Sequence, residues 1–548
     1  LIFAAILGKH CRNEAMTEAD IMTFSWDFPY PSRRMPVLAR NAVATSQPLA
    51  AQAGLRMLLA GGNALDAALA AAIALTVVEP TSNGIGSDAF AILWDGNGLC
   101  GLNSSGRSPQ AWSPQRFAGM AAMPPLGWDT VTVPGAVAAW AALSGRFGKL
   151  PFTELFQPAI AYARCGFPVS PITATRWRQA QALYPQFAEI NRTFFPDGRA
   201  PQPGEPFRCP DQADTLAAIA DSRGETFYRG PIARQIAACS AAAGGAMTSD
   251  DLAAHTVEWV EPLAIDYRGV TLHEIPPNGQ GIAALIALGI LRDFDLGRFP
   301  VDSVDSIHLQ IEAMKSAFAH VFRHVADIDH MPVPPGDLLR ADALAAWAAA
   351  IRMERAATTP APATSGGGTV YLTAADESGM MVSMIQSNYM GFGSGVVVPG
   401  TGIALQNRGL GFVLNEGHPN CVAGGKRPFH TIIPGFVTRG GRPLMSLGVM
   451  GAHMQPQGHV QLMTRIFEYG QNPQAACDAP RWHLAADGRV QIESGFPTEI
   501  AEGLRRRGHS VTTGAPESLF GGGQLIWRLA EGYGAASDMR KDGQAVGF

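Results

Sequence analysis

Between Leu49 and Leu59 the apolar positions Leu49, Ala53, Leu55, Leu58 and Leu59 recur at helical spacing, and the run stops at Gly61-Gly62. Asn63 then stands as the N-cap of a second segment, Ala64 to Val78. That segment is rich in alanine and leucine and apolar nearly all round, which predicts a buried helix. A turn at Ser82-Asn83-Gly84-Ile85-Gly86 leads into a strand, Ala89 to Trp94. Much further on, a run of small residues from about Ala356 to Gly368 feeds a β-hairpin. Its first strand begins at Thr369, its turn is Asp376-Glu377-Ser378-Gly379, and its second strand runs from about Met380 to Ser387. Met380-Met381-Val382-Ser383-Met384-Ile385 is nearly continuous in its apolar character, as a strand covered on both faces requires. The pattern predicts a mixed α/β protein with no internal repeat.

Composition narrows this picture. In 548 residues, 47% are hydrophobic and 16% charged, which implies a large core and excludes a disordered chain. A net charge of −5 gives no electrostatic footprint for nucleic acid. The seven cysteines are scattered without a Cys-x-x-Cys, so reduced, mostly buried thiols in a cytosolic protein are expected. Leu-Ile-Phe-Ala-Ala-Ile-Leu at the start has no basic segment before it and reads as an overextended reading frame rather than a signal peptide. The longest apolar helix, Ala64 to Val78, is too short to span a bilayer. The expectation is a soluble, cytoplasmic protein without nucleic-acid or membrane partners.

The junction Gly366-Gly367-Gly368-Thr369 carries candidate chemistry. Glycines let the backbone reach conformations that other residues resist. The Thr369 hydroxyl could then attack the Gly368 carbonyl, cut the chain and leave Thr369 as a new N-terminus. Its freed α-amine, with an ordinary pKa near 8, would serve as the base for its own hydroxyl. Spacing alone does not separate this from an ordinary glycine-rich loop.

Thr369 to Gly395, followed by Pro399-Gly400-Thr401-Gly402-Ile403, resembles the small-subunit start of the γ-glutamyltransferase family, N-terminal nucleophile hydrolases made as one chain. Gly61-Gly62-Asn63-Ala64-Leu65-Asp66 with the turn and strand after it resembles the family's large-subunit start. Further matches, among them Val133-Pro134-Gly135, Tyr267-Arg268-Gly269, Tyr469-Gly470-Gln471-Asn472-Pro473 and Ala536-Ser537-Asp538, follow in family order over about residues 37–548. The resemblance implies a four-layer αββα sandwich assembled from two chains of one cleaved precursor. Residues 1–36 would be an extension, 37–368 the large (α) subunit and 369–548 the small (β) subunit, paired as a heterodimer or a dimer of heterodimers.

The resemblance also assigns roles. Thr369 matches the nucleophile, and Ser387, eighteen residues on, stands where the family has a second threonine hydroxyl. Gly451 and Ala452, in Gly448-Val449-Met450-Gly451-Ala452, stand where two successive glycine amides hold the oxyanion. The acyl pocket departs from the family pattern. Gly411 occupies the position of the acid that holds a substrate amine, Arg408 replaces a neutral amide, and Tyr389 replaces an asparagine. His430-Thr431 replaces a pair of serines that grips a carboxylate, and Arg107 lies two residues before a proline instead of four. Losing the acid while gaining Arg408 changes a zwitterion pocket into an anion pocket.

The substrate so implied is a small amide bearing a carboxylate and no amine, with oxamate, cut to oxalate and ammonia in purine breakdown, as the named expectation. The alternatives are a γ-glutamyl hydrolase or transferase acting on glutathione, a cephalosporin (glutaryl) acylase, and an uncut, inactive relative serving as a structural or binding subunit. No cofactor is implied. His430, His453 and His459 lack metal-ligand spacing, and the glycine runs 366–368 and 521–523 lack the features of a phosphate loop.

Overall fold

The computed structural model describes residues 33–358 and 368–548. Residues 1–32 and the greater part of the glycine-rich run lie outside them. The helix predicted first spans Pro48–Leu59, and the second spans Ala64–Val78 with every residue buried. Asn63 and Asp66 close a reciprocal capping box, each side chain accepting from the other's backbone N–H at 3.0 Å. Asp66 also accepts from the amides of Lys149 and Leu150 at 3.1 Å, which is how an acid survives at the head of a buried helix.

Two seven-stranded antiparallel sheets form the centre. One runs, in spatial order, Gln544–Gly547, Ala42–Thr45, Gly368–Ala375, Met381–Tyr389, Asp88–Trp94, Leu99–Ser104 and Glu258–Val260. The predicted hairpin is therefore the middle of this sheet, and all nine residues of Met381–Tyr389 are buried. The other sheet runs Val37–Ala39, Tyr533–Ser537, Gly522–Arg528, Arg442–Met450, Gly435–Arg439, Val270–Glu274 and Leu263–Tyr267.

Phe90, Ile92, Tyr371, Met381 and Ile385 from the first sheet meet Phe436, Met450, Ile526 and Ala535 from the second. Helices Pro48–Leu59, Ala64–Val78, Ala136–Phe147 and Phe152–Cys165 cover the outer face of the first sheet. Ile282–Leu291, Val304–His324 and Met454–Phe467 cover that of the second. This is the four-layer αββα sandwich, with strands from both sides of Thr369 interleaved in each sheet.

One expectation changes. Among the described cysteines only Cys209 and Cys477 are buried, while Cys100, Cys239 and Cys421 are half-buried and Cys165 is exposed. Arg34, in the expected N-terminal extension, donates to the carbonyl of Gly543 at 2.8 Å. Among the described residues no helix is long and apolar enough to cross a membrane.

Candidate active site

Thr369 lies at the head of the hairpin's first strand, 2% exposed. The register slips beside it: Gly368 pairs with Tyr389 and Val370 with Gln386, so Thr369 faces both Ser387 and Asn388. The bulge turns Ser387 toward the junction. Its hydroxyl donates to the Gly368 carbonyl at 2.7 Å and accepts from the Tyr389 amide at 2.8 Å and from the Thr369 hydroxyl at 3.4 Å. Gln455, on the first turn of Met454–Phe467, donates Nε2 to Thr369 Oγ1 at 3.4 Å. The amide of Ile433 holds Gln455 Oε1 at 2.9 Å and so fixes which end faces the threonine. At Gly368 a Cβ would sit 3.0 Å from the Thr81 carbonyl oxygen, leaving little room for a side chain before the threonine.

Strand Arg442–Met450 ends in a turn with Gly451 at φ 115° and Ala452 at φ 50°. The second is a left-handed conformation that alanine adopts at a cost of about 1 kcal/mol. Gln280 secures it, donating Nε2 to the carbonyls of Ala452 at 2.9 Å and Thr431 at 2.6 Å. Neither the Gly451 nor the Ala452 amide has an acceptor among the described residues. Both residues line one groove of about 650 Å³ together with Thr81, Gly368, Met390 and Gly391.

Arg408 is buried beside this junction. Its Nη1 donates to Thr431 Oγ1 at 2.7 Å, and its guanidinium carbon lies 4.9 Å from the centre of the Tyr389 ring. Its Nε and Nη2 have no hydrogen-bond partner. Burial lowers its pKa to about 10, with the Asp88 charge acting the other way, so it is a cation at neutral pH.

Asp88, cross-strand from Ser387, accepts from the amides of Gly135 at 2.9 Å and Gly106 at 3.3 Å through Oδ1. Its Oδ2 lies 3.1 Å from His430 Nε2. Since the Ile432 amide donates to His430 Nδ1 at 3.3 Å, the ring's proton is on Nε2 and points at Asp88. Burial and the Arg408 charge push the His430 pKa well below its ordinary value, so the imidazole is neutral.

The fold thus brings Thr369, Ser387, Gly451 and Ala452 to one junction, with Tyr389, Arg408, His430 and Thr431 behind it. Arg107 is placed elsewhere. Its Nη1 pairs with Asp327 at 2.9 Å and its Nη2 with Glu258 at 3.4 Å. Nor do His430 and Thr431 act as a pair, since one serves Asp88 and the other Arg408. Gly411 leaves no space for an acid, because a Cβ there would stand 2.3 Å from the Phe429 carbonyl oxygen.

The sequence reading missed Asp88, Gln280 and Gln455. Asp88 could have been suspected as an acid at the mouth of an apolar strand, but no spacing marks the two glutamines. His308, Glu312 and His509 also come together, unforeseen from spacing. Lys315 donates to His509 Nδ1 at 3.3 Å, His509 Nε2 meets His308 Nδ1 at 2.8 Å, and His308 Nε2 meets the Arg352 carbonyl at 2.9 Å. Every imidazole nitrogen in that cluster is thereby engaged.

A four-layer αββα sandwich with a threonine at the head of a central strand defines the N-terminal nucleophile class of hydrolases and acyltransferases. Residues 50–548 match the family described as Gamma-glutamyltranspeptidase. A glutathione hydrolase-like proenzyme of Bacillus subtilis is 36% identical over 526 residues, covering 93% of this chain and 98% of the relative. An oxamate amidohydrolase proenzyme of Klebsiella pneumoniae subsp. pneumoniae is 35% identical over 524 residues, covering 91% and 97%. The solved structure of a cephalosporin acylase from Bacillus halodurans superimposes with a TM-score of 0.91 at 49% identity, over 96% of this chain and 99% of that one. The chain belongs to the gamma-glutamyltranspeptidase family.

Proposed function

We propose that the protein is a precursor that cuts itself between Gly368 and Thr369 and then hydrolyses the amide of a small acyl group carrying a carboxylate. In the cut, Thr369 Oγ1 bonds to the Gly368 carbonyl carbon and the C–N bond breaks. The nitrogen takes up a proton to become the α-amine, and water hydrolyses the resulting ester to a Gly368 carboxylate and the free hydroxyl. The Ser387 hydroxyl, 2.7 Å from the Gly368 oxygen, is placed to stabilise the negative charge that forms there. In turnover the Thr369 α-amine takes the hydroxyl proton and passes it to the leaving amine, while the Gly451 and Ala452 amides hold the oxyanion; water then cleaves the Thr369 ester, releasing the acyl group as its acid and restoring the hydroxyl. Gln455 keeps the hydroxyl oriented.

The observation carrying the substrate class is Arg408, a buried cation with two N–H-bearing nitrogens left without acceptors. Unpaired buried donors are costly, and a planar guanidinium matches a carboxylate in a two-pronged contact. Oxamate is the first substrate to test. A glutaryl-type acyl group on a bulky amine is the second reading, favoured by the groove of about 650 Å³ before Gly451, far more space than ammonia needs.

Intact-mass spectrometry of the purified protein should show two species divided at Thr369, and Thr369→Ala should remain one chain. A parent that stays whole on long incubation, or a Thr369→Ala variant that matures, defeats the proposal. An amide screen over oxamate, glutamine, glutathione and glutaryl amides should favour amine-free carboxylated substrates over glutathione by at least about 100-fold in kcat/KM, equivalent to about 2.7 kcal/mol. Efficient glutathione hydrolysis without activity on oxamate or glutaryl amides would reject the substrate class and leave the nucleophile standing.

A further inference from the structure

Two buried charged groups, Arg408 and Asp88, lie behind the Thr369 junction and are joined through consecutive residues: Thr431 bonds Arg408 and His430 bonds Asp88. Both ends are sealed from water, with Asp88 and His430 0% exposed and Arg408 2%. The groups facing Asp88 are His430, neutral and donating; Arg408; the more distant Arg427, whose guanidinium is paired with Glu258; and the amides of Gly106 and Gly135. Tyr228, on the far side, is held protonated by burial. Arg408 and an ionised Asp88 sum to zero. A substrate carboxylate seated on the free nitrogens of Arg408 would therefore bring a second anion beside one buried guanidinium.

Two buried anions sharing one cation are unstable, and the relief is a proton on one of them. The substrate's carboxylate takes the two-pronged contact, so the proton falls to Asp88. We infer that Asp88 is a specificity-determining residue that takes up a proton when a carboxylate binds Arg408, so that this enzyme binds its acyl substrate as an anion together with a proton. The inference rests on the carboxylate reading of the pocket. Burial already pushes the free Asp88 up to about 7, so the uptake falls in the neutral range. Below that pH the pocket is a net cation and ready for the anion. Above it the proton must be supplied, and KM should rise by up to about tenfold per pH unit, since one proton is linked to one ligand. kcat, which reports the bound state, should not carry the Asp88 titration and should instead rise as the Thr369 α-amine loses its proton. The device also bears on selectivity, because a neutral Asp88 offers no counter-ion to a substrate ammonium.

The test is calorimetric titration of the mature enzyme with oxalate and with glutarate at pH 8, in two buffers of different ionisation enthalpy. Both acids are fully ionised in solution there, so proton uptake is uptake by the complex, and the comparison with Asp88→Asn assigns it to Asp88. The parent should take up more than half a proton per ligand, and Asp88→Asn close to none. For the amide hydrolysed fastest, Asp88→Asn should flatten the rise of KM with pH while the parent keeps it.

Binding of neither acid, or unchanged binding in Arg408→Ala, would overturn the carboxylate reading and this inference with it. Binding that is lost in Arg408→Ala but proceeds without proton uptake in the parent would overturn the role of Asp88 alone. The parent measurement needs no variant, so a misfolded Asp88→Asn leaves the inference exposed to refutation.

Discussion

At the scale of single residues, Arg408 concentrates the chemistry. Arg408→Ala should lower kcat/KM for the preferred carboxylated amide by about 100-fold or more, mainly through KM, because it removes a ground-state contact also present in the transition state. Arg408→Lys keeps the charge but not the planar fork, so it should restore part of that loss and no more. Steady-state kinetics on the three proteins decides it, and equal kcat/KM in all three would take Arg408 out of the site. The residue was legible from its place in a family motif, and so was the loss of the acid at Gly411. The reason for that loss was not legible, since only the fold brings the Phe429 carbonyl within 2.3 Å of where a Cβ would be. An acid introduced at Gly411 would therefore disturb the backbone before it could bind an amine. The partner of Arg107 was not legible for a similar reason: nothing local announces that Asp327, 220 residues away, will pair with it.

At the scale of elements, the hairpin and the two early helices were readable because each is specified by neighbours in sequence: the capping box, the glycine stop, the turn and an unbroken apolar run. The second sheet was not, because its order joins strands far apart in the chain. Arg442–Met450 lies between Gly435–Arg439 and Gly522–Arg528, a choice that only packing makes. Gly448 sits on that strand against the first sheet, and a Cβ there would stand 2.2 Å from the Tyr371 ring. Tyr371 cannot easily yield, since its hydroxyl is held by Ser383 at 2.8 Å on the neighbouring strand. Gly448→Ala should therefore destabilise the protein by about 1–3 kcal/mol, the usual range for overpacking a core. A lowered urea midpoint with an unchanged slope is the expected reading, and an unaltered midpoint would mean that the sheets separate at little cost. The same strand leads directly into Gly451, so a shift at Gly448 should also slow turnover.

At the scale of the whole molecule, the balance of buried titratable groups sets the response to acid. Burial lowers His255 and His509 to about 3 and His453 to about 4, and it lowers His308 as well. Unfolded histidine titrates near 6.5, so the unfolded chain binds more protons in the interval below that value. For these groups stability is fully present above about pH 6.5 and is lost as pH falls toward their folded values. Each contributes a loss of up to about 1.4 kcal/mol per pH unit. Asp88 acts in the opposite sense. Its folded value of about 7 lies above the unfolded one near 3.9, so acidification from 7 downward favours the folded state through this group. Its hydrogen-bonded partner His430, held well below its ordinary value, largely cancels that gain. The remaining histidines then decide the sign, and between pH 6.5 and 5 the protein should lose several kcal/mol, a large share of a typical folding free energy of 5–15 kcal/mol. Thr369→Ala, as a single uncut chain, is the form in which to measure this. Its urea midpoint should hold steady from pH 8 to 7 and then fall steeply toward pH 5. A midpoint that stays level or rises on acidification would mean that the buried carboxyls Asp88, Glu274 and Asp66, all pushed upward by burial, outweigh the histidines.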